Sequence, residues 1–194
     1  MTTSQRAEPV APANLPSTAT VRRAVVERAT VREILMGAQD NLTTVLAVVL
    51  GVSIGSNRAD LVALAGLSAA VAEAVSMGGV LYNSTRAEEV LEARLRADPT
   101  ASRRTTLAPA QSGLVTFVAA MLAGLIPLAP FAVLPLPAAV SVSIASSVVA
   151  LFLLGSAIGR ISGSTWWRDG FRLLLVAGLA AIASAAVGAA LRIE

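Results

Sequence analysis

Five long apolar runs constrain the fold of this chain more than any other feature of its sequence. Each run is long enough to cross a membrane, because a helix needs about 20 predominantly apolar residues to span the hydrocarbon core. The runs are unbroken, whereas the strands of a membrane barrel appear as alternating segments of about 10 residues. We therefore predict an all-α polytopic membrane protein with five transmembrane helices, at about residues 34–55, 61–82, 110–134, 138–158 and 171–191.

The composition agrees with a bilayer as the solvent and excludes several kinds of site. Of the 194 residues, 55% are hydrophobic and only 14% are charged, whereas about a quarter of a soluble domain is charged. Cysteine and histidine are absent, which excludes disulfides, Cys/His zinc sites and His-assisted nucleophilic catalysis. No nucleophile–base set is visible, so we expect neither an enzyme nor a bound cofactor. A metal ion would have to bind carboxylate, carbonyl, amide, hydroxyl or thioether groups.

The arginines flank the apolar runs and predict the orientation of the chain. All 15 basic residues are arginines, and most lie before the first run, between the second and third, or between the fourth and fifth. The opposite side carries only Arg58 and Arg192. Because Lys and Arg concentrate in cytoplasmic loops, we expect a cytoplasmic N-terminus and an external C-terminus. Arginines that flank spans form no single basic face, so nucleic-acid binding is not expected.

The N-terminal segment before the first apolar run differs in composition from the rest of the chain. Residues 1–20 are rich in Pro, Ala and Thr and predict a disordered cytoplasmic tail. The five-span membrane domain would then cover residues 21–194. Its first part, residues 21–33, is expected either to extend the first helix into the cytoplasm or to lie along the lipid headgroups.

A short cytoplasmic loop, residues 83–109, links the second and third runs. It begins with a helical extension that carries Glu88, Glu89 and Glu92. One interpretation is a solvated helix face on which these glutamates form ion pairs with nearby arginines. The alternative is a weak vestibule that attracts cations.

Two carboxylates, Asp40 and Glu73, lie inside predicted spans. A carboxylate near the bilayer centre costs about 2.5–3.5 kcal/mol even on insertion scales, and such groups usually mark ion or proton pathways. Neither of the two spans contains an arginine that could neutralise them. A bound cation or a proton is therefore the natural partner of each carboxylate.

The depths of these side chains in the membrane predict one layer. The first two spans are antiparallel and share a short outer link, so depths in both can be counted from their outer ends. At a rise of about 1.5 Å per residue, Asp40 lies roughly 22 Å below the outer end of its helix. On the second helix, Glu73 lies roughly 18 Å and Met77 roughly 24 Å below the outer end. Carboxylate oxygens with one thioether suit a transition metal such as Fe²⁺ or Mn²⁺ better than Na⁺ or Ca²⁺. The alternative places Asp40 near the headgroups and leaves Met77 a packing role only.

Several motifs, in order along the chain, resemble the vacuolar iron transporter family, which comprises yeast-type vacuolar transporters and their bacterial relatives. REILMGAQDNL at residues 32–42 is similar to the family's RE-x-x-x-G-x-x-D-G-L segment. AEAVSMGGVLYNS at residues 72–84 resembles A-G-A-x-S-M-A-x-G-E-Y-x-S, and AGLIPLAPF at residues 123–131 resembles G-x-x-I-P-L-x-P-[FY]. The resemblance covers about residues 31–191.

This resemblance implies a fold, a function and partners. The fold would have five spans and form a homodimer, with the pathway at or near the subunit interface. The function would be export of Fe²⁺ or Mn²⁺ from the cytosol in exchange for protons, across what we expect to be a bacterial inner membrane. Asp40 and Met77 carry over as pathway residues. Glu73 carries over less directly than these two, since the resemblance also allows the family's carboxylate in span two to correspond to a position one turn earlier, at Ala69.

The chain also departs from the family pattern. Val80 and Leu81 stand where the family has Gly-Glu, and Asn41 stands where it has Gly. The glutamate-rich cytoplasmic domain of many members is reduced to residues 83–109. These departures favour an alternative function, in which the chain is a non-transporting membrane scaffold or a regulatory partner.

Overall fold

In the computed structural model of the protein, residues 18–95 and 107–192 are described, and they form five α-helices. The helices are α1 (Thr18–Ser56), α2 (Ala59–Leu95), α3 (Pro109–Leu128), α4 (Leu136–Ser162) and α5 (Trp166–Ala190), with a 3₁₀ turn at Ala129–Ala132. Each helix has a stretch that is long and apolar enough to cross a membrane, and the described residues contain no strand. The predicted all-α, five-helix membrane fold is therefore confirmed. The cytoplasmic position of the N-terminus stays a prediction.

The first two helices extend well beyond the apolar runs. Helix α1 begins at Thr18 and continues without a break into the span, so the segment 21–33 extends the helix. Of the predicted disordered tail, residues 1–17 lie outside the described part of the chain. Helix α2 continues past the predicted second span as far as Leu95. Residues 96–106 of the predicted loop also lie outside the described part of the chain.

Helix α1 lies at the centre of the bundle and packs against all four other helices. Its buried residues form two stripes. The first, which includes Leu42 and Leu46, packs against Leu151 of α4 and Leu173 of α5. The second packs against α2 and consists of Val45 and Val49. Because lipid is as apolar as these side chains, the helices associate through close packing rather than through a hydrophobic driving force.

Glycines permit the closest contact between helices α2 and α3. A Cβ atom built on Gly78 would lie 2.9 Å from the carbonyl oxygen of Gly113, and one built on Gly113 would lie 2.8 Å from that of Gly78. Real side chains do not tolerate such distances. The two backbones therefore meet directly, as small residues allow in membrane helices.

Helix α3 ends earlier than the predicted third span. Pro127 lies inside its last turn, and the chain then tightens into the 3₁₀ turn that contains Pro130. A proline lacks the N–H that would continue the α-helical hydrogen bonding, which explains why the helix stops at Leu128 rather than near residue 134. The hydroxyl of Ser143 in α4 donates a 2.7 Å hydrogen bond to the Pro127 carbonyl, so a neighbouring helix stabilises this irregular end.

Candidate metal site

The short link between α1 and α2 places the two helices side by side. Asn57 adopts a positive φ of 50°, a left-handed conformation that asparagine tolerates better than most residues. The chain therefore reverses between Ser56 and Ala59, and α2 returns antiparallel to α1. This reversal fixes which residues of the two helices lie opposite each other.

Gly37 of α1 and Met77 of α2 are one such pair. A Cβ atom on Gly37 would lie 3.6 Å from both Cβ and Cε of Met77, and 3.0 Å from Cγ2 of Thr116 in α3. The absence of a side chain at Gly37 thus lets the thioether lie directly against α1. Gly37 is three residues before Asp40, so Met77 is about one helical turn from that carboxylate.

The carboxyl groups of Asp40 and Glu73 lie against each other in the next layer. They are close enough for their charges to interact. Met77 is four residues after Glu73 and therefore on the same side of α2. The structure thus brings Asp40 and Glu73 together and places Met77 about one helical turn away, whereas their shared depth in a membrane stays a prediction. Their role as metal ligands stays a prediction.

The three side chains lie on the outer surface of the bundle. Asp40 is exposed, while Glu73 and Met77 are half-buried. Within residues 18–95 and 107–192, no group of three or more Asp, Glu, His or Cys side chains could hold a metal ion by itself. One chain therefore brings together two carboxyl groups and one thioether, and this set is open on one side.

Comparison with known proteins shows the family of the chain. The sequence profile of the VIT family matches residues 31–103 and 89–189, and hence most of the chain. The chain belongs to the VIT family. It is also similar to vacuolar iron transporter homolog 2 of Oryza sativa subsp. japonica, with 29% identity over 165 residues that cover 80% of this chain and 87% of the rice protein. Family membership makes the chain an integral membrane protein of the metal-ion transporter class.

One polar residue beside the site was not expected to have a structural role. Asn41 of this VIT-family chain is fully buried, and its Nδ2 donates hydrogen bonds to the carbonyl oxygens of Ala70 in α2 (3.0 Å) and Ala120 in α3 (2.9 Å). Its Oδ1 has no hydrogen-bond partner and faces Gly124, where a Cβ atom would lie 2.9 Å away. Asn41 therefore ties three helices together next to Asp40. The sequence offered one signal, an amide in an apolar run where the family has Gly.

The sequence also does not predict a second thioether near the site, that of Met36. Met36 is exposed and lies four residues before Asp40, on the same face of α1. Further toward the N-terminal end of α1, Glu33 is close enough to Glu88 of α2 for their charges to interact. Glu33, Met36 and Asp40 thus follow one another along α1, and Glu88 of α2 lies near the first of them.

The three glutamates of the predicted vestibule lie on the extension of α2. Glu88 is exposed and Glu89 is half-buried, whereas the side chain of Glu92 lies outside the described part of the structure. No ion pair involves Glu88 or Glu89 among the described residues. The charge of Glu88 interacts instead with that of Glu33. Both interpretations of this face, the ion-paired surface and the weak vestibule, stay predictions.

Proposed function

We propose that this VIT-family chain exports a divalent transition metal, Fe²⁺ or Mn²⁺, from the cytosol in exchange for protons. The observation that carries the proposal is the contact of Asp40 and Glu73, with Met77 one turn away, within two helices that are long and apolar enough to span a membrane. Metal ions would pass along the α1–α2 contact through these three side chains.

The chemistry of the ligands supports a transition metal as the substrate. Carboxylate oxygens bind all divalent cations of this size, while a thioether adds affinity for softer ions than Mg²⁺ or Ca²⁺. Met77 supplies that sulfur from the same face of α2 as Glu73. The name of the rice relative, vacuolar iron transporter homolog 2, agrees with iron as a substrate.

The pair of carboxyl groups supports exchange of metal for protons. Two carboxylates in contact cannot both stay charged at low cost, so the pair is neutralised either by a proton or by a cation. A metal ion that binds between Asp40 and Glu73 must displace any proton that they share. Arrival of protons from the other side of the membrane then releases the metal.

The open side of the site supports a homodimer. Small residues line the uncovered face of α2 next to Glu73, namely Ser68, Ala72, Ser76 and Gly79, all of them exposed. A Cβ atom on Gly79 would meet nothing within 4 Å. Small residues let membrane helices approach closely, and an exposed Asp40 in lipid is costly. A second copy packed on this face would cover Asp40 and add ligands to the metal.

The arginine distribution supports the direction of transport. The ends of α1 and α2 that carry Glu33 and Glu88 lie on the predicted cytoplasmic side, in what we take to be a bacterial inner membrane. Glu88, Glu89 and Glu92 would there form a weak vestibule that attracts metal ions toward Met36 and Met77.

Uptake of Fe²⁺ and Mn²⁺ into proteoliposomes, with and without a pH gradient, tests the proposal. Asp40→Asn keeps the size of the side chain but removes a charge that pairs with a desolvated ion, a change that costs about 3–5 kcal/mol. We expect metal flux to fall by roughly two orders of magnitude or more. Asp60→Asn is the matched control, because Asp60 is exposed at the far end of α2 and pairs with Arg58; its flux should equal that of the wild type. An absence of flux in the wild type under every gradient would contradict the proposal.

A non-transporting scaffold or regulatory partner is the second candidate function. One observation favours it: Leu81, which stands where the family has Glu, is buried with 6% of its surface exposed, so the site lacks that carboxylate. In this case Glu73→Gln and Met77→Leu would leave the metal sensitivity of cells unchanged, whereas the transport proposal expects both changes to impair it.

A further inference from the structure

A row of four aromatic rings lies where α4 ends and α5 begins. The ring of Phe152 is 6.4 Å from that of Trp166 and 5.5 Å from that of Phe171, and the ring of Trp167 is 6.4 Å from that of Phe171. All three contacts are edge-to-face, a favourable geometry for aromatic pairs. Trp166 and Trp167 stand at the two ends of this row.

An arginine is stacked on each end of the aromatic row. The guanidinium carbon of Arg160 lies 5.5 Å from the centre of the Trp166 ring, and that of Arg168 lies 5.3 Å from the Trp167 ring. Both arginines are exposed. Neither forms an ion pair within the described parts of the chain. The neighbouring carboxylate of Asp169 accepts a hydrogen bond from Ser164 and lies against Gly159.

These two guanidiniums are therefore held in place but have no anionic partner. A guanidinium that is stacked on an indole keeps its N–H groups free at the edge, where they match the geometry of a phosphate. Tryptophan rings lie preferentially at the level of the lipid headgroups. Phe171 of the row and Leu175, one turn further along α5, form an exposed apolar face, 56% and 70% exposed. Phosphate-binding groups thus lie directly above a surface that suits acyl chains.

We propose that Arg160 and Arg168 bind the phosphate headgroup of an anionic phospholipid at the end of the α4–α5 hairpin. This site is separate from the proposed metal route, which runs along α1 and α2. Anionic lipids attract each nearby Arg with an energy that corresponds to roughly a fivefold change in binding constant. The lipid would fix the depth of the hairpin in the predicted cytoplasmic leaflet.

Tryptophan fluorescence tests this proposal without a label, because Trp166 and Trp167 are the two tryptophans of the chain. The protein is reconstituted into phosphatidylcholine vesicles with increasing amounts of phosphatidylglycerol whose acyl chains are brominated, since bromine quenches a nearby indole. The reference series uses brominated phosphatidylcholine. For the wild type we expect the binding constant of phosphatidylglycerol to exceed that of phosphatidylcholine by roughly five- to twenty-five-fold. Equal constants for the two lipids would overturn the proposal.

Three double variants, one of them a control, show which arginines hold the lipid. Arg160→Gln/Arg168→Gln should bring the ratio of the two binding constants close to one. Arg160→Lys/Arg168→Lys should keep part of the preference for phosphatidylglycerol, because lysine retains the charge but lacks the planar guanidinium that stacks on the indole. Arg58→Gln/Arg192→Gln, at the opposite ends of the helices, is the control and should retain the wild-type ratio. A full preference in the first variant would contradict the site, and so would a loss in the control.

Inorganic phosphate in excess distinguishes a lipid from a soluble anion. We expect the preference of the wild type for phosphatidylglycerol to persist in its presence, because the acyl chains contribute to binding. Loss of the preference would show that the arginines take free phosphate and would overturn the lipid assignment. The readout is fluorescence quenching, so it does not depend on metal transport.

Discussion

A single buried amide, that of Asn41, holds three helices together beside the proposed metal site. Its two hydrogen bonds reach the carbonyls of Ala70 and Ala120, and its oxygen lies in the space left by Gly124. Hydrogen bonds between membrane helices contribute about 0.6 kcal/mol each and at most about 1.7 kcal/mol. The amide therefore fixes which parts of the three helices meet, while it contributes little to the stability of the bundle.

The pairing of Asn41 with Gly124 predicts a non-additive response to mutation. Asn41→Ala should destabilise the protein by roughly 1–2 kcal/mol through the loss of two hydrogen bonds. Gly124→Ala alone should also destabilise it, because the new methyl group would meet Oδ1 of Asn41. In the double variant the methyl group occupies the vacated space, so the combined loss should be smaller than the sum. Thermal unfolding in detergent measures all three, with Asn83→Ala, at an exposed position, as the neutral control; strictly additive losses would contradict the pairing.

At the scale of single residues, the proximity of Asp40 to Glu73, with Met77 about one turn away, could be predicted because the rise of a helix and the short outer link fix which residues lie opposite each other. The role of Asn41 could not be predicted in this way. Its hydrogen-bond acceptors are backbone carbonyls that lie 29 and 79 residues away, and a sequence does not show which carbonyl an amide will meet. Met36 was missed because the exposure of its helix face depends on how α1 packs.

At the scale of helices, two neighbouring glycines of α2 have opposite surroundings. A Cβ atom on Gly78 would lie 2.9 Å from the Gly113 carbonyl and 3.0 Å from Cβ of Phe117, whereas one on Gly79 would meet nothing. The first glycine is needed for the contact between α2 and α3 within one chain. The second lies on the face that we assign to the homodimer.

This contrast predicts different effects for the same substitution. Gly78→Ala should lower the unfolding temperature, because α3 must move away from α2. Gly79→Ala should leave the fold unchanged or stabilise it slightly, since Ala favours a helix over Gly by about 1 kcal/mol. The larger Gly79→Leu should retain the monomer fold but reduce the dimer fraction. Thermal unfolding and light scattering in detergent measure both quantities, and dimers that persist in Gly79→Leu would rule out this face as the interface.

The existence of the helices could be predicted more reliably than their ends. The five apolar runs are long enough that only membrane-spanning helices satisfy their backbone groups. The end of α3 depends on where a proline interrupts the hydrogen bonds, and Pro127 is tolerated inside the helix while the chain changes to a 3₁₀ turn around Pro130. Which of two prolines ends a helix depends on neighbours such as Ser143.

At the scale of the whole molecule, α1 is the central helix of the bundle and also contributes Asp40 to the proposed metal pathway. It packs against every other helix, yet Asp40 on one of its faces is exposed. The antiparallel pairing of α1 and α2 follows from their short link. The central position of α1 could not be predicted, because an apolar run that faces lipid resembles one that faces other helices. Binding of metal at Asp40 would act on the helix that contacts all the others.

The central claim is that metal crosses the membrane at Asp40, Glu73 and Met77 in exchange for protons. The most direct measurement follows Mn²⁺ entry and luminal pH together in proteoliposomes that contain a pH-sensitive dye, with no imposed pH gradient. We predict that the lumen becomes more alkaline as Mn²⁺ enters through the wild type and through Asp60→Asn, because protons leave as the metal arrives, and that Asp40→Asn shows neither change. Entry of Mn²⁺ without a change in luminal pH, or wild-type entry through Asp40→Asn, would contradict this account.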